Sequence, residues 1–314
     1  MKILFVWSGL NGYMGDCWRE LASFSDVNLK IVVDVRNKYY GGTFIPDEVM
    51  RGLDWSDNLD ALDEWVPQVV FIVGWRNEIC REAAYRWSGQ NVKKILCFDM
   101  PWEWKFRKVV ARFVLHKYLQ NFDSAFVNGA AAKKYARWLG FAEKKIYLGS
   151  IATDIERFKR HTGGGGFMYA GRNAPEKGLD VLRRAYDLYR AKGGKWKLNI
   201  VSGISPQEIY RHYEKSDCFI LPSLWEPWGV VLVEAAASGL PIICTNKCGA
   251  RLEVVKENGL VVKPNSAYEL AKAMLAIENM TEQERVAMGA KGKLLAEKYS
   301  CSEWCNRVIK ICKA

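Results

Sequence analysis

The 314-residue chain is predicted to be an α/β protein of two Rossmann-like, parallel-sheet domains that face each other across a cleft. Three observations support this prediction. Short β-branched or aromatic runs alternate with helical patterns along most of the chain, a run of four glycines interrupts the alternation, and the length suits two domains of about 150 residues each. In such folds, ligands bind beyond the carboxyl ends of the strands.

Eleven short segments predict the strands of the two sheets, six before the glycine run and five after it. Helical patterns separate them, which is typical of parallel sheets. In chain order they read KILFVW, LKIVVDV, QVVFIV, KKILCF, SAFVN, KIYLG, FMYAG, WKLNIVSG, DCFILP, PIICT and GLVVKP.

The four glycines at 163–166 in KRHTGGGG form the best candidate linker, because fixing a run of glycines costs much backbone entropy. The sequence therefore predicts a first domain over residues 1–158, a linker over 159–166 and a second domain over 167–299.

The composition excludes several classes of protein. With 49% apolar residues the chain can bury a large core, and nine scattered cysteines without a Cys-x-x-Cys pair predict reduced thiols rather than a disulfide framework or a zinc site. The first apolar run, residues 3–7, is five residues long, too short for a signal-peptide core or a membrane span. We therefore expect a cytoplasmic protein.

The net charge of +11 is concentrated in one region. Residues 1–75 have a balance of −5, whereas residues 76–145 have a balance of +9, centred on WEWKFRKVVARFVLHKYL at 102–119. At helical spacing the apolar side chains of this segment share one face, and basic side chains lie beside it. The apolar set is Trp102, Phe106, Val109, Val110 and Phe113, and the basic set is Lys105, Lys108 and Arg112.

Two interpretations of this basic segment stay open. It is either a core-facing helix with a solvated flank, or an interfacial helix that binds an anionic membrane surface or an anionic acceptor. The indoles of Trp102 and Trp104 suit a lipid headgroup layer. A nucleic-acid partner is not expected, because the chain has no repeated aromatic-basic platform and no nucleic-acid motif.

Loops after two predicted strands carry residues suited to a charged ligand. The first strand runs into SGLNGYMGD, whose three glycines, among them Gly12, let a backbone approach a bulky ligand, although they do not form the dinucleotide fingerprint. In the second half, Arg172 and Lys177 flank a turn before a helix predicted to begin near Gly178. Two cations there suit a diphosphate, or serve only solubility.

The segment PSLWEPWGVVLVEAAASGLP places two carboxylates eight residues apart across the start of a helix predicted over 229–238. Glu226 lies in the loop before the helix, where it either contacts a ligand or merely complements the helix dipole. Glu234 lies in the helix among valines and alanines, so its carboxylate needs a partner. The first N–H groups of such a helix attract phosphate or sugar oxygens, and the whole arrangement suits a nucleotide sugar.

These motifs resemble the retaining glycosyltransferases of the GT-B fold, of the family 4 type. AGRNAPEKGLDVL is similar to the family's Gly-Arg…Glu-Lys-Gly pattern, and LPSLWEPWGVVLVEAAASGLPII to its Glu-x7-Glu signature. IATDIERF resembles the family's interdomain segment. The resemblance also implies that a C-terminal helix at about 300–314 crosses back to the first domain.

The resemblance assigns a role to each candidate residue. Arg172 and Lys177 would hold the donor diphosphate, and Glu234 the nucleotide ribose. The donor sugar would be contacted by Glu226 and by the backbone N–H groups of Trp228, Gly229 and Val230. Fixed cations and a helix N-terminus would stabilise the departing nucleoside diphosphate, so neither a metal nor another cofactor is expected.

The first domain would contribute two further residues. Gly12, or a neighbour in its loop, would approach the diphosphate. Family members often place a histidine near the donor sugar, but none of the histidines at 116, 161 and 212 fits, and Asp99 in CFDMPW is the candidate replacement. The segment between WKLNIVSG and SDCFILPS is also shorter than usual for the family, which leaves the base undetermined.

The resemblance therefore implies a metal-independent, retaining glycosyltransferase that moves a hexose-type sugar from a UDP- or GDP-linked donor to a glycan or lipid-linked hydroxyl. Two alternatives stay open. One is a GT-B epimerase that converts the nucleotide sugar without a separate acceptor, and the other is a non-catalytic nucleotide-sugar binding module.

Overall fold

The computed structural model describes residues 1–9, 12–35, 46–62, 64–158, 164, 166–204 and 208–314. The chain divides into two compact units. The first comprises Met1–Ala152 and Cys301–Ala314, and the second comprises Thr153–Ser300.

Parallel strands form the sheet of the first unit, in the order β3-β2-β1-β4-β5-β6-β7. Its elements are β1 (Lys2–Trp7), α1 (Gly12–Ala22), β2 (Asn28–Val33), α2 (Pro46–Val49), β3 (Trp55–Ser56), β4 (Val69–Val73), α3 (Glu78–Arg86), β5 (Lys93–Phe98), α4 (Phe106–Val114), α5 (His116–Leu119), β6 (Ser124–Val127), α6 (Gly129–Leu139) and β7 (Ile146–Leu148).

The second unit has a smaller parallel sheet, in the order β12-β11-β10-β8-β9. Its elements are β8 (Gly166–Ala170), α7 (Leu179–Ala191), β9 (Lys197–Val201), α8 (Tyr210–Glu214), β10 (Cys218–Leu221), α9 (Val230–Ala237), β11 (Ile242–Thr245), α10 (Arg251–Val254), β12 (Gly259–Val262), α11 (Ala267–Glu278) and α12 (Glu282–Ala296).

The last helix, α13 (Cys301–Lys313), belongs to the first unit. Its Trp304 packs against Phe5 of β1 with ring centroids 5.4 Å apart, and the Trp304 indole N–H donates to the Ser150 carbonyl at 3.1 Å. Phe5 in turn stacks on Phe71 of β4 at 4.6 Å. This aromatic layer covers one face of the seven-stranded sheet and buries the helix against it.

The predicted domain limits differ from the observed units at residues 153–158. These residues belong to the second unit, where the Thr153 N–H donates to the Tyr299 carbonyl at 3.0 Å and Thr153 pairs with Ser300. Within the predicted linker, residues 159–163 and 165 lie outside the described residues, and Gly166 is the first residue of β8.

The predicted strands are all present, and β3 is an addition. Between β9 and β10 the described residues contain α8 alone, which leaves β9 at an edge of its sheet. The glycine loop after β1 is shorter than predicted, since Gly12 and Gly15 lie inside α1. A Cβ at Gly15 would lie 2.5 Å from the Val49 carbonyl oxygen, so this glycine serves helix packing.

Residues 102–119 do not form one core-facing helix. Residues 102–105 precede α4, and Leu115 separates α4 from α5. Trp102 packs on the core, but Phe106 and Phe113, predicted on the same face, are exposed. None of the described helices is long and apolar enough to cross a membrane.

Candidate functional site

Most candidate residues lie on two adjacent loops of the second unit. One loop joins β8 to α7, and the other joins β10 to α9. Because β8 and β10 are neighbouring parallel strands, both loops leave the same edge of the sheet. The Glu176 carbonyl ties them together by accepting from the Leu224 N–H at 2.8 Å.

Lys177 and Glu226 form an ion pair between these loops. The Lys177 Nζ contacts Oε2 of Glu226, and the two side chains are only 16% and 9% exposed. The Glu226 backbone is held as well, because its N–H donates to the Lys247 carbonyl and its carbonyl accepts from the Gly249 N–H. A cation and a carboxylate are therefore fixed side by side, with protons left on the ammonium group for an anionic ligand.

Glycine is required where the second loop enters α9. Gly229 has a φ of +91°, a left-handed conformation, and a Cβ there would lie 3.0 Å from Cγ of Glu226. A Cβ at Gly249 would lie 1.9 Å from the Pro227 carbonyl oxygen, so the loop after β11 packs directly on this turn. Trp228 is buried just before the helix and lies 5.4 Å from the Tyr299 ring. The predicted start of the helix is confirmed to within one residue, at Val230.

Arg172 is more exposed than Lys177. Its guanidinium pairs with Glu176 at 3.2 Å, and its carbonyl accepts a 2.9 Å hydrogen bond from the Tyr169 hydroxyl. Burial raises the pKa of Tyr169, so this hydroxyl stays protonated and keeps donating. The backbone of Arg172 is thus anchored while its side chain extends toward solvent.

Glu234 has a buried partner that the sequence did not indicate. The Tyr213 hydroxyl of α8 donates to Oε2 of Glu234 at 2.8 Å. Burial raises the pKa of Glu234, the hydrogen bond from Tyr213 offsets part of this rise, and the resulting pKa is about 7. The Tyr213 ring is held by Phe219 of β10 and by Phe158. The carboxylate is therefore fixed in orientation and close to its titration point at neutral pH.

Gly12 and Asp99 lie in the first unit. Gly12 is the first residue of α1, and Asp99 directly follows β5. Strand β4 lies between β1 and β5, so both residues are at the carboxyl edge of the seven-stranded sheet. Their assigned contacts to the diphosphate and the sugar stay predictions.

The structure thus brings Lys177, Glu226 and Gly229 together and gives Glu234 a separate, buried setting. Tyr213 and Tyr169 are the residues that sequence reasoning missed. Their partners lie in other elements or in the main chain, and no local motif marks them. Within the described part of the chain, no group of three or more His, Cys, Asp or Glu side chains could hold a metal ion.

Residues 187–294 match the family model described as glycosyl transferases group 1. This segment contains both Glu226 and Glu234, whereas Arg172 and Lys177 precede it. Sucrose synthase of Nitrosomonas europaea is 32% identical over 110 residues, which cover 32% of this chain and 14% of that protein. A putative teichuronic acid biosynthesis glycosyltransferase of Bacillus subtilis is 33% identical over 126 residues, or 36% of this chain and 32% of that protein.

The aligned part of the chain therefore spans less than half the length of these relatives. Among solved structures, Anabaena HepE in complex with UDP superposes with a TM-score of 0.74, 13% identity and 99% coverage of both chains. The predicted resemblance to group 1 glycosyltransferases and the predicted GT-B fold class, with two parallel-sheet α/β domains, are confirmed.

Proposed function

We propose that this chain is a retaining glycosyltransferase that moves a hexose-type sugar from a nucleoside diphosphate sugar to a hydroxyl of a glycan or lipid-linked acceptor. The observation that carries the proposal is the Lys177–Glu226 ion pair held beside the start of α9. The match of residues 187–294 to the group 1 model supports the reaction class. The teichuronic acid relative supports a role in cell-surface polysaccharide or glycolipid synthesis.

The proposed donor is UDP-linked, with a GDP-linked sugar as the alternative. A structure of similar fold was solved with UDP, which supports the first choice. Arg172 and Lys177 bind the diphosphate, Glu234 accepts hydrogen bonds from the ribose hydroxyls, and Glu226 binds the sugar with the N–H groups of Trp228, Gly229 and Val230. Gly12 and Asp99 complete the donor contacts from the first unit.

In the proposed reaction the bond between the anomeric carbon and the diphosphate oxygen breaks, and the acceptor oxygen bonds to that carbon on the same face. The acceptor proton passes to the departing phosphate oxygen, so no protein nucleophile is needed. Lys177 and Arg172 stabilise the negative charge that develops on the phosphate, because fixed cations need no reorganisation during the reaction. The proposal assigns this task to no metal and to no other cofactor.

The proposed setting is the cytoplasm, at the inner face of a membrane that holds or receives the acceptor. The donor-binding residues of the second unit do not require this location. The proposed membrane location is instead based on the basic segment 102–119 of the first unit.

A thermal-shift screen of UDP, UDP-sugars and GDP-sugars tests the donor assignment. A ligand at 100 times its dissociation constant raises the free energy of unfolding by about 2.7 kcal/mol, which is readily measured. Stabilisation by a UDP-sugar, followed by transfer to an acceptor with the anomeric configuration kept in the product, is the expected result.

Three outcomes would contradict the proposal. If no nucleotide sugar stabilises the chain, the proposed donor site is wrong. Conversion of the nucleotide sugar without an acceptor would favour an epimerase, and donor binding without turnover on an acceptor array would favour a binding module.

A further inference from the structure

Four apolar side chains, three on one face of α4 and one just before the helix, face solvent in the first unit. Trp104, Phe106, Phe113 and Val114, which we call the α4 face, are 81%, 82%, 73% and 78% exposed. A cluster of large, exposed apolar side chains marks a surface that binds another protein or a membrane. Residues 106, 113 and 114 are on one face of the helix, and Trp104 precedes it.

Polar contacts fix the rotation of α4 about its axis, and this rotation places the two phenylalanines on the solvent side of the helix. Lys108 points inward with a side chain only 12% exposed, and its Nζ donates to the Pro101 carbonyl and to Glu103 at 2.9 Å. It also lies 5.8 Å from the centre of the Tyr135 ring. At the adjacent residue of α4, the Trp138 indole N–H donates to the Val109 carbonyl at 3.2 Å. Turning Phe106 inward would break these contacts.

Positive charge borders the α4 face. Lys105, Arg107 and Arg112 are exposed, and Lys117 of α5 follows in the next element. Lys108, which belongs to the basic set predicted beside the apolar face, is instead held inward by its ion pair with Glu103. Residues 76–145 have a balance of +9, so the region repels cations and attracts an anionic surface.

We infer that the α4 face docks on an anionic lipid surface, with α4 lying in the plane of the interface. The apolar side chains enter the boundary between headgroups and acyl chains, and Arg107 and Arg112 contact lipid phosphates. A nine-residue helix is about 14 Å long, which suits an interfacial position rather than a crossing. The inference deepens the proposed membrane partner and rests on that part of the proposed function, but not on sugar transfer.

A second copy of the chain fits this surface less well. A two-fold contact through α4 would place the same helix of both copies together, and hence the cations of one copy near those of the other. Anionic lipid instead meets the apolar and the basic residues with complementary groups.

Vesicle flotation of the full chain tests the inference, using phosphatidylcholine vesicles with and without phosphatidylglycerol at low and high salt. We expect flotation only with phosphatidylglycerol, and weaker flotation at high salt because salt screens the cations. Phe106→Ser/Phe113→Ser is expected to weaken binding at least about tenfold. Arg107→Gln/Arg112→Gln is expected to weaken it roughly 25-fold, about fivefold for each cation.

The matched control is Val286→Ser/Leu294→Ser, which removes two exposed apolar side chains of α12 in the other unit and should leave flotation unchanged. Thermal unfolding of each variant, with and without UDP-glucose, separates this test from that of donor binding. Failure of the wild-type chain to float, or unchanged flotation of Phe106→Ser/Phe113→Ser, would reject the inference. So would a dimer in solution that this double variant dissociates, because a second copy would then cover the face.

Discussion

The Tyr213 hydroxyl donates a 2.8 Å hydrogen bond to Oε2 of Glu234, and both side chains are buried. The pair joins α8 to α9 at the position where the proposed function places the nucleotide ribose. Burial disfavours the charged form of the carboxyl, whereas the hydroxyl favours it, so the protonation state of Glu234 depends on their balance.

The first prediction concerns stability and pH. The pKa of Glu234 is raised from 4.5 to about 7, so the folded chain binds a proton more tightly than the unfolded chain. Stability from this group is therefore full below about pH 4.5 and is lost as the pH rises through about 7. Compared with Glu234→Gln, the wild-type chain should lose roughly 2 to 3 kcal/mol of unfolding free energy between about pH 5 and pH 8.

Denaturant unfolding of both proteins across this range checks the prediction. Other titrating groups are common to both chains, so the difference isolates Glu234. Parallel pH profiles for the two proteins would show that its pKa is not raised.

The second prediction concerns Tyr213→Phe. Loss of the hydroxyl leaves the carboxylate without this donor, so the pKa of Glu234 should rise further and stability should fall by about 1 kcal/mol. The pH midpoint of the stability difference from Glu234→Gln, measured by denaturation, should move upward. UDP binding, measured by calorimetry, should weaken at neutral pH because less carboxylate is available for the ribose.

Tyr189→Phe is the matched control, because the Tyr189 hydroxyl donates to Glu278 at 2.7 Å in the same unit but away from the candidate site. This variant should have a lower free energy of unfolding than the wild-type chain and the same affinity for UDP. Equal effects of both variants on UDP affinity would contradict a specific role for Tyr213.

The third prediction concerns Lys177→Ala. Removing this ammonium takes a fixed positive charge from the leaving diphosphate and also leaves the buried Glu226 without its cation. Sugar transfer should fall by roughly 100-fold or more. Steady-state transfer rates with the donor identified by thermal shift provide the measurement.

Arg183→Ala is its control, since Arg183 is an exposed cation of α7 paired with Asp180. Transfer by this variant should match that of the wild-type chain. Full activity of Lys177→Ala would show that Lys177 does not contribute to sugar transfer.

The fourth prediction concerns Gly229→Ala. An alanine at a φ of +91° costs about 1–2 kcal/mol, and its Cβ would press on Cγ of Glu226 at 3.0 Å. We expect lower stability together with weaker binding of the UDP-sugar, because Glu226 and its ion pair must move. Thermal shift with and without the ligand reports both effects.

Gly193→Ala separates backbone strain from crowding. Gly193 has a φ of +90°, and a Cβ there has nothing within 4 Å. This variant should lose similar stability and keep its affinity. If Gly229→Ala binds the donor as well as Gly193→Ala does, the position of Glu226 is not important for donor binding.

Much of the fold was predictable because it depends on local sequence. The strand positions follow from short apolar runs, and the helix starts near Gly178 and Gly229 follow from turn residues. The loop glycines were harder to interpret. In the sequence Gly15 resembled part of a ligand-binding loop, but it lies in α1, where the missing side chain lets the helix pack on Val49, which is distant in sequence.

The orientation of α4 was not predictable from periodicity. The apolar spacing identified a face containing Phe106 and Phe113, but a spacing does not say whether a face meets the core or solvent. The contacts of Lys108 with Glu103 and Pro101 determine the orientation of α4, because they hold inward the side of the helix that lies opposite the two phenylalanines.

The sequence by itself determined the two parallel sheets, the order of the loops and the residue types at the candidate site. These follow from propensities and spacings that act over a few residues. Only the tertiary structure decided that Lys177 pairs with Glu226, 49 residues away, and Tyr213 with Glu234, 21 residues away. The pairing of β8 with β10 and the contacts between α8 and α9 bring these partners together, and local sequence does not indicate them because side-chain electrostatics acts over ångströms in space and not along the chain.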